Sequence, residues 1–262
     1  MVRLLVLSWM ILGIGIHASL AAEEPSLGVP VLLYHRFEAS APGLTTIRPE
    51  VLAEQLEWLK SHHVAVLPLH HALDSIIGNA SAIDVPAVVL AADDGHRSIY
   101  DEMYPLLRRY GVHATLFIYP SAISNAEDAL TWEQLDEMVK SGLIDVQSHT
   151  YWHPNFQTEK QRLAPAAYKD FVQFQFARSK SRLETRLGIK VDLLAWPFGL
   201  SDPELEQDAR AAGYVAAFTI ERKPLRPGQN PYALPRFIVT DADHGSRFAA
   251  LINGAIGREV AP

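Results

Sequence analysis

Short, mostly apolar runs alternate with amphipathic stretches along almost the whole of this 262-residue chain. Strands buried on both faces form continuous apolar segments, and strands separated by helical stretches predict a parallel sheet covered by helices. The strand-like runs are residues 29–34, 64–67, 87–91, 114–119, 144–147, 193–196, 215–220 and 237–239. The helical stretches are residues 49–61, 98–110, 132–141, 165–187, 203–212 and 246–253.

This alternation predicts the α/β class. Seven or eight strands in a chain of this length favour a distorted (β/α) barrel of about seven strands over an open sheet. No linker, internal repeat or low-complexity segment divides the chain, so residues 23–262 are predicted to form one domain. Polar residues with a chemical role are then expected just after the carboxyl ends of the strands.

The first 22 residues have the pattern of a secretory signal. Arg3 supplies a positive charge, residues 4–16 are apolar, and mostly small residues follow at 18–22. The apolar run is too short to span a membrane comfortably, so cleavage after Ala21 or Ala22 is favoured over an uncleaved anchor. We therefore expect an exported protein, periplasmic or secreted, with no membrane span after cleavage. The chain has no cysteine, which excludes a lipid-modified cysteine and disulfides.

The charge pattern limits the class of partner. The formal net charge is -7, and no basic run is present. Nucleic-acid binding needs clustered lysine and arginine to neutralise phosphates, so a nucleic-acid partner is not expected. A neutral or cationic sugar polymer remains compatible with this composition.

Two adjacent aspartates end the apolar run at residues 88–92, where Asp93 and Asp94 precede Gly95. Adjacent carboxylates repel each other, so a strand end that carries both favours a site where a cation accepts one of them. Gly95 permits a sharp turn, which lets the two carboxylates face different targets. An ordinary Asp-Gly turn before a helix would give the same residues, and the motif alone does not separate these interpretations.

A His-x-x-x-His pair, His149 and His153, follows the run at residues 144–147. Pro154 disfavours a helix at the residue before it, so we expect a strand-to-loop turn that wraps both rings around one point. Neutral imidazoles are common metal ligands, although two ordinary loop histidines would look the same. Combined with the aspartates, two histidines and one carboxylate make an open metal site, and the second carboxylate is free to act as a base on water.

At these residues the sequence resembles the polysaccharide deacetylases, carbohydrate esterase family 4, over residues 29–251. The similar segments are residues 93–95 (Asp-Asp-Gly), 148–153 (Ser-His-Thr-x-x-His), 195–199 (Ala-Trp-Pro-Phe-Gly) and, in the branch that acts on exported poly-N-acetylglucosamine, 31–36 and 234–239. The resemblance implies a NodB-type distorted barrel with Asp93 as general base. It also implies a divalent metal, usually zinc, held by Asp94, His149 and His153. The oxyanion would be held by the metal and the backbone N–H of Phe198, and Thr150 would orient the acetyl group or the loop.

Two departures from the family pattern concern the catalytic groups. Ala195 stands where an arginine often tethers the base, and Arg236 is our candidate for that role. The late Leu-x-His motif that supplies the general acid is not plainly present, and His244 is the nearest candidate. Without such a histidine, the leaving amine would take its proton from Asp93 or from the bound water. His35 follows the first strand and is expected to face the site.

Aromatic residues beside the proposed site suit a carbohydrate, because sugars offer apolar faces to flat rings. The residues expected to contact substrate are Thr150, Trp152, Trp196, Pro197, Phe198, His35 and Arg236. The resemblance therefore implies removal of N-acetyl groups from an amino-sugar polysaccharide, such as poly-N-acetylglucosamine or a peptidoglycan- or chitin-like chain. The alternatives are an O-acetyl esterase or other amide hydrolase, a non-catalytic or weakly active sugar-binding module, and an Fe(II) oxygenase, which the second aspartate disfavours.

Overall fold

The apolar runs form strands of one parallel sheet in the computed structural model, which describes residues 27–40, 43–78 and 83–261. The predicted signal at residues 1–22 lies outside the described residues. The strands are β1 (Val31–Tyr34), β2 (Arg36–Phe37), β3 (Thr46–Ile47), β4 (Ala65–Val66), β5 (Ala87–Asp94), β6 (Ala114–Ile118), β7 (Ile144–Ser148), β8 (Leu193–Ala195), β9 (Ala216–Phe218) and β10 (Phe237–Ile238). The α-helices are α1 (Pro49–Ser61), α2 (Leu69–Ile76), α3 (Tyr104–Tyr110), α4 (Trp132–Lys140), α5 (Phe156–Arg162), α6 (Pro165–Leu187), α7 (Pro203–Ala211) and α8 (Gly245–Ile256).

Seven strands form the main path of the sheet, in the order β10-β1-β5-β6-β7-β8-β9, and β4 joins the start of β5. All of these pairs are parallel. The sheet curls into a half-barrel, and a parallel bridge between Phe218 and Leu234 connects β9 to the segment that leads into β10. The predicted distorted barrel of about seven strands is therefore confirmed.

The two faces of the sheet pack against different helices. Alternate strand residues, including Val31, Val89 and Phe117, pack with the apolar side of α2. The intervening residues, such as Leu32 and Leu90, pack under the other helices in a larger apolar cluster. Asp93 follows Val89 and Ala91 at a spacing of two, so its side chain lies on the same sheet face as α2.

Two helices and a small sheet were not predicted. Apolar residues of α2 recur at helical spacing, at positions 69, 72, 73 and 76, but no side chain caps this eight-residue helix. Helix α5 begins just after Pro154, with Asn155 as its N-cap, and its only buried residue is Phe156. Strands β2 and β3 have two residues each, which is too short to show a sequence period. None of the helices in the described residues is both long and apolar enough to cross a bilayer.

Candidate active site

The two aspartates end β5 at the carboxyl edge of the sheet. Asp93 lies beside Phe117 and Asp94 beside Ile118 of β6, so the chain is still paired where the carboxylates appear. Gly95 then turns the backbone at φ +79°, and a Cβ there would lie 2.9 Å from Ile118 Cδ1. Only glycine combines this conformation with that close approach.

The histidine pair lies in a loop that leaves β7 at the same edge. His149 N–H donates to the Ile118 carbonyl, which ties the start of the loop to β6. The rings of His149 and His153 approach to 4.6 Å between centroids at an interplanar angle of 64°. The expected strand-to-loop turn thus brings both rings to one point.

Three side chains converge with the spacing of metal ligands. Asp94 Oδ1 lies 3.6 Å from His149 Nε2 and 3.8 Å from His153 Nε2. A tetrahedral ion with bonds of about 2.0–2.1 Å separates its ligand atoms by about 3.4 Å, so small adjustments complete the geometry. One ligand atom from each of the three residues lies within 4.8 Å of the others, and the described residues contain no other such group.

The protonation states also suit a cation. His149 donates Nδ1–H to the Ala195 carbonyl at 2.8 Å, which leaves the Nε2 lone pair facing Asp94. Burial lowers the pKa of His149 to about 3 and also lowers the pKa of His153, so both rings are neutral at pH 7. Burial and the adjacent Asp93 charge raise the pKa of Asp94 to about 6. Ionised Asp94 therefore needs a positive partner, and the neutral imidazoles beside it provide lone pairs for the same ion.

A buried ion pair holds the other aspartate. Arg236 is 0% exposed, and its Nη1 and Nη2 donate to the two carboxylate oxygens of Asp93 at 2.8 and 2.9 Å. Its Nε donates to the Thr219 carbonyl, and its guanidinium lies over the Phe117 ring. Burial raises the pKa of the Asp93 carboxyl, but the charge and hydrogen bonds of Arg236 are the main opposing cause, and the pKa falls to about 2. Asp93 is therefore ionised, oriented and 3.7 Å from His149 Nε2.

Backbone strain is concentrated at this edge. Six non-glycine residues in the described part of the chain have positive φ, and four of them surround the site: Asp94, Thr150, His153 and Phe198. Such conformations are unfavourable for residues with a Cβ and persist where surrounding contacts enforce them. Two of the four are metal-ligand candidates, so the backbone is bent to bring their side chains together.

A cavity of about 430 Å³ opens beside Asp94. Its lining includes His35, Arg36, His96, Tyr119 and Asp128. His35 comes directly after β1, and its Nδ1 is buried without a hydrogen-bond partner in the structure. The expectation that His35 faces the site from the first strand agrees with this placement.

His244 is not brought to the site. It is an exposed residue at the N-cap of α8, where the next residue, Gly245, donates its N–H to Glu54 of α1. The cavity beside Asp94 is lined by other residues. The geometry therefore does not support His244 as the acid, because the chain after β10 turns outward to the α1 side of the fold.

Four of the residues expected to contact substrate are buried. Trp196 is 0% exposed and donates its indole N–H to the Tyr232 carbonyl, so the prediction that it contacts substrate is wrong. Pro197 is also buried, in a short 3-10 turn, so the prediction that it contacts substrate is wrong as well. Thr150 is buried, and its hydroxyl accepts the His153 N–H, which agrees with the expected role in orienting the loop. Arg236 is also enclosed, and it contacts Asp93 rather than solvent.

Two of the predicted aromatic residues are open to solvent. Trp152 is 52% and Phe198 51% exposed, and both belong to segments that carry the site. The Phe198 ring packs edge-on against His153 at 4.7 Å. Tyr119, which the sequence did not single out, also contacts the His153 ring, at 5.6 Å between ring centroids. The His153 ring therefore contacts two aromatic side chains, one of which, Phe198, is exposed.

Known proteins are similar in sequence to this chain. A family model described as polysaccharide deacetylase matches residues 81–217. Poly-beta-1,6-N-acetyl-D-glucosamine N-deacetylase of Staphylococcus aureus (strain MRSA252) is 27% identical over 192 residues, which are 71% of this chain and 65% of that protein. YxkH of Bacillus subtilis is 28% identical over 235 residues, 90% of this chain and 79% of that one. The match therefore spans about two thirds of the length of the Staphylococcus relative.

Solved structures share the fold. IcaB from Ammonifex degensii superposes with a TM-score of 0.77 at 28% identity, over 87% of this chain and 98% of that chain. The Streptococcus pyogenes deacetylase PplD also gives 0.77, at 20% identity, over 87% and 99%. The family model covers more than half of the chain and includes both aspartates and both histidines. The chain belongs to the polysaccharide deacetylase family.

Proposed function

We propose that this protein is a metal-dependent hydrolase that removes N-acetyl groups from an amino-sugar polysaccharide, with poly-N-acetylglucosamine as the first substrate to test. The observation that carries the proposal is the convergence of Asp94, His149 and His153 beside an ionised Asp93. Relatives named as poly-beta-1,6-N-acetyl-D-glucosamine N-deacetylases support this substrate class. The signal-like pattern at residues 1–22 supports action outside the cytoplasm, where such polymers are found.

Different side chains serve as metal ligands, as the general base and as the group that orients the base in amide hydrolysis. A divalent cation held by Asp94, His149 and His153, zinc in our proposal, would polarise the acetamide carbonyl and lower the pKa of a nearby water. Asp93 takes a proton from the attacking water as the water oxygen bonds to the carbonyl carbon. Arg236 fixes both carboxylate oxygens of Asp93, so the base keeps its orientation through the reaction. The C–N bond then breaks, and the products are acetate and a free amine.

The leaving nitrogen must gain a proton. His35 directly follows β1 and lines the cavity beside Asp94, so we assign it as the proton donor. Trp152 and Phe198 are exposed at the rim and offer flat apolar surfaces to the sugar rings on either side of the reacting unit.

The test measures acetate release from β-1,6-linked N-acetylglucosamine oligomers by zinc-loaded protein. We expect acetate release to stop when a chelator removes zinc, because the acetamide carbonyl then loses the cation that polarises it. Acetate release should return when zinc is restored. Release from O-acetylated sugars alone would identify an esterase. Oligomer binding without release of acetate would identify a sugar-binding module, and either outcome contradicts the proposal.

The proton donor can be identified by two substitutions. His35→Gln is expected to lower kcat about a hundredfold, the usual contribution of a positioned acid, while zinc affinity stays unchanged. His244→Gln removes the other candidate and is expected to retain full activity, because His244 is exposed at the α8 N-cap. Kinetics with N-acetylglucosamine oligomers distinguish the two. A loss in His244→Gln with normal turnover in His35→Gln would reverse the assignment.

A further inference from the structure

Helix α6 packs against the loop between His149 and His153 and forms hydrogen bonds with its backbone. Gln175 on α6 is 1% exposed, and its Oε1 accepts the N–H groups of both Tyr151 and Trp152 at 3.1 and 3.2 Å. These two amides lie between His149 and His153 in sequence. A buried amide oxygen thus satisfies both loop donors at once, which fixes the path of the backbone between the ligands.

A second contact from α6 holds the start of the loop. Ser179 is fully buried, and its hydroxyl shares a hydrogen bond of 2.8 Å with the hydroxyl of Ser148. Ser148 Oγ also accepts the Thr150 N–H at 3.2 Å. The last residue of β7 is therefore tied to α6 as well as to the loop that it begins.

Aromatic side chains of the loop complete the contact. Tyr151 packs edge-on against Phe174 at 5.3 Å, and Trp152 packs on Phe171 at 5.9 Å. The α6 residues that touch the loop form one helical stripe with spacings of three and four, at positions 171, 174, 175, 178 and 179. One stripe of this 23-residue helix therefore contacts Ser148, Tyr151 and Trp152.

The loop needs this support because it is strained. Thr150 and His153 have φ of +65° and +63°, which is unfavourable for residues with a Cβ. Without outside contacts, the loop would relax and the two imidazoles would separate. Outer contacts of this kind typically change metal affinity about 10- to 100-fold when removed.

We propose that α6 preforms the metal-binding loop in the absence of metal, with Gln175 as the positioning residue. This inference rests on the proposed function only in that the site binds a divalent cation. It extends that proposal because it names a residue that contacts neither metal nor substrate. It also gives a role to the long helix at residues 165–187, to which the sequence assigned none.

The experiment is a zinc titration against a chelator of known affinity, using wild type, Gln175→Met and Gln173→Met. Methionine keeps the length of the side chain and removes the acceptor. Gln173 is exposed on the same helix, so its substitution is the matched control. We expect Gln175→Met to bind zinc 10- to 100-fold more weakly, and Gln173→Met to stay within about twofold of wild type. Equal affinity for all three proteins would overturn the inference.

A second measurement avoids substitution, in case Gln175→Met does not fold. Hydrogen exchange of the Tyr151 and Trp152 amides is followed in metal-free wild type. We expect both amides to be protected before zinc is added, because their acceptor belongs to the fold. Protection that appears only after zinc is added would contradict preformation.

The outcomes separate this inference from the proposed function. Wild type that binds no zinc would overturn both. Zinc binding that depends on Gln175, without acetate release from any oligomer, would support the role of α6 and contradict the deacetylase proposal.

Discussion

Asp93→Asn is expected to abolish most acetate release and leave zinc bound. The substitution removes the carboxylate charge that accepts a proton from water, so kcat should fall by about 10²- to 10⁴-fold. Asp93 is held by Arg236 and lies outside the group of three converging ligands, so zinc affinity should stay close to that of wild type. Acetate release under saturating oligomer, with zinc affinity measured on the same preparation, gives both quantities.

Asp94→Asn is the matched comparison, one residue along the same strand. Its Oδ1 faces both imidazoles at 3.6 and 3.8 Å, so loss of the charge should weaken zinc binding first and activity as a consequence. Excess zinc should therefore restore part of the activity of Asp94→Asn and none of that of Asp93→Asn. If the two variants lose zinc equally, or if Asp93→Asn keeps activity within tenfold, the division of roles between the adjacent aspartates is wrong.

The converging side chains could be predicted because their signals are local. Asp93 and Asp94 end β5, and His149 directly follows β7. Parallel strands end at one edge of a sheet. His153 is four residues further on, within reach of one turn. Topology alone therefore brings the aspartates and histidines together, whatever the details of packing. The half-barrel itself follows from the same alternation of apolar runs and helices.

Residues whose position depends on distant packing were predicted less well. Trp196 stands beside a loop in the sequence, but Phe176 and Tyr232, from a helix and a distant loop, enclose it. His244 follows β10 closely, but the chain turns outward there. Gln175 gave no signal, because a polar residue in a long amphipathic helix normally faces solvent. Its burial becomes evident only in the folded protein, where its Oε1 accepts the N–H groups of Tyr151 and Trp152.

The contact between Arg236 and Asp93 could be predicted only in part from the sequence. Ala195 stands where the family often has the tethering arginine, and the need for a cation near Asp93 suggested Arg236 as its replacement. The two residues are 143 positions apart, so the sequence could not show the bidentate geometry. Arg236 directly precedes β10, which lies on the opposite side of β1 from β5, and its guanidinium still reaches the Asp93 carboxylate.

Arg236→Met is expected to destabilise the protein by about 3–5 kcal/mol, the usual cost of leaving one partner of a buried ion pair alone. Methionine fills similar space, so most of the loss comes from the Asp93 carboxylate that remains buried without its cation. Urea unfolding of the metal-free protein measures the change. Arg222→Met is the control, because Arg222 is a neighbouring exposed arginine over the Phe237 ring, and it should cost about 1 kcal/mol or less.

The loss of stability in Arg236→Met should depend on pH, which a simple loss of packing would not produce. In wild type the pKa of Asp93 is about 2, below the unfolded value, so the pair stabilises the fold above about pH 4 and that contribution is lost as pH falls through about 2. Arg236→Met removes the main cation that opposes burial, so burial is expected to raise the pKa of Asp93 above its unfolded value. The variant then loses stability as pH rises, so its deficit against wild type should be larger at pH 7 than at pH 4.

The pH dependence of activity should also change in Arg236→Met. The acid limb of the kcat/KM profile of Arg236→Met should move to higher pH, because its base takes up a proton more readily. Adding Asp93→Asn to Arg236→Met removes the buried charge, so the double variant should recover part of the lost stability and none of the activity. A deficit that is the same at pH 4 and pH 7, with no recovery in the double variant, would show that Arg236 serves packing alone and does not hold the ionised base.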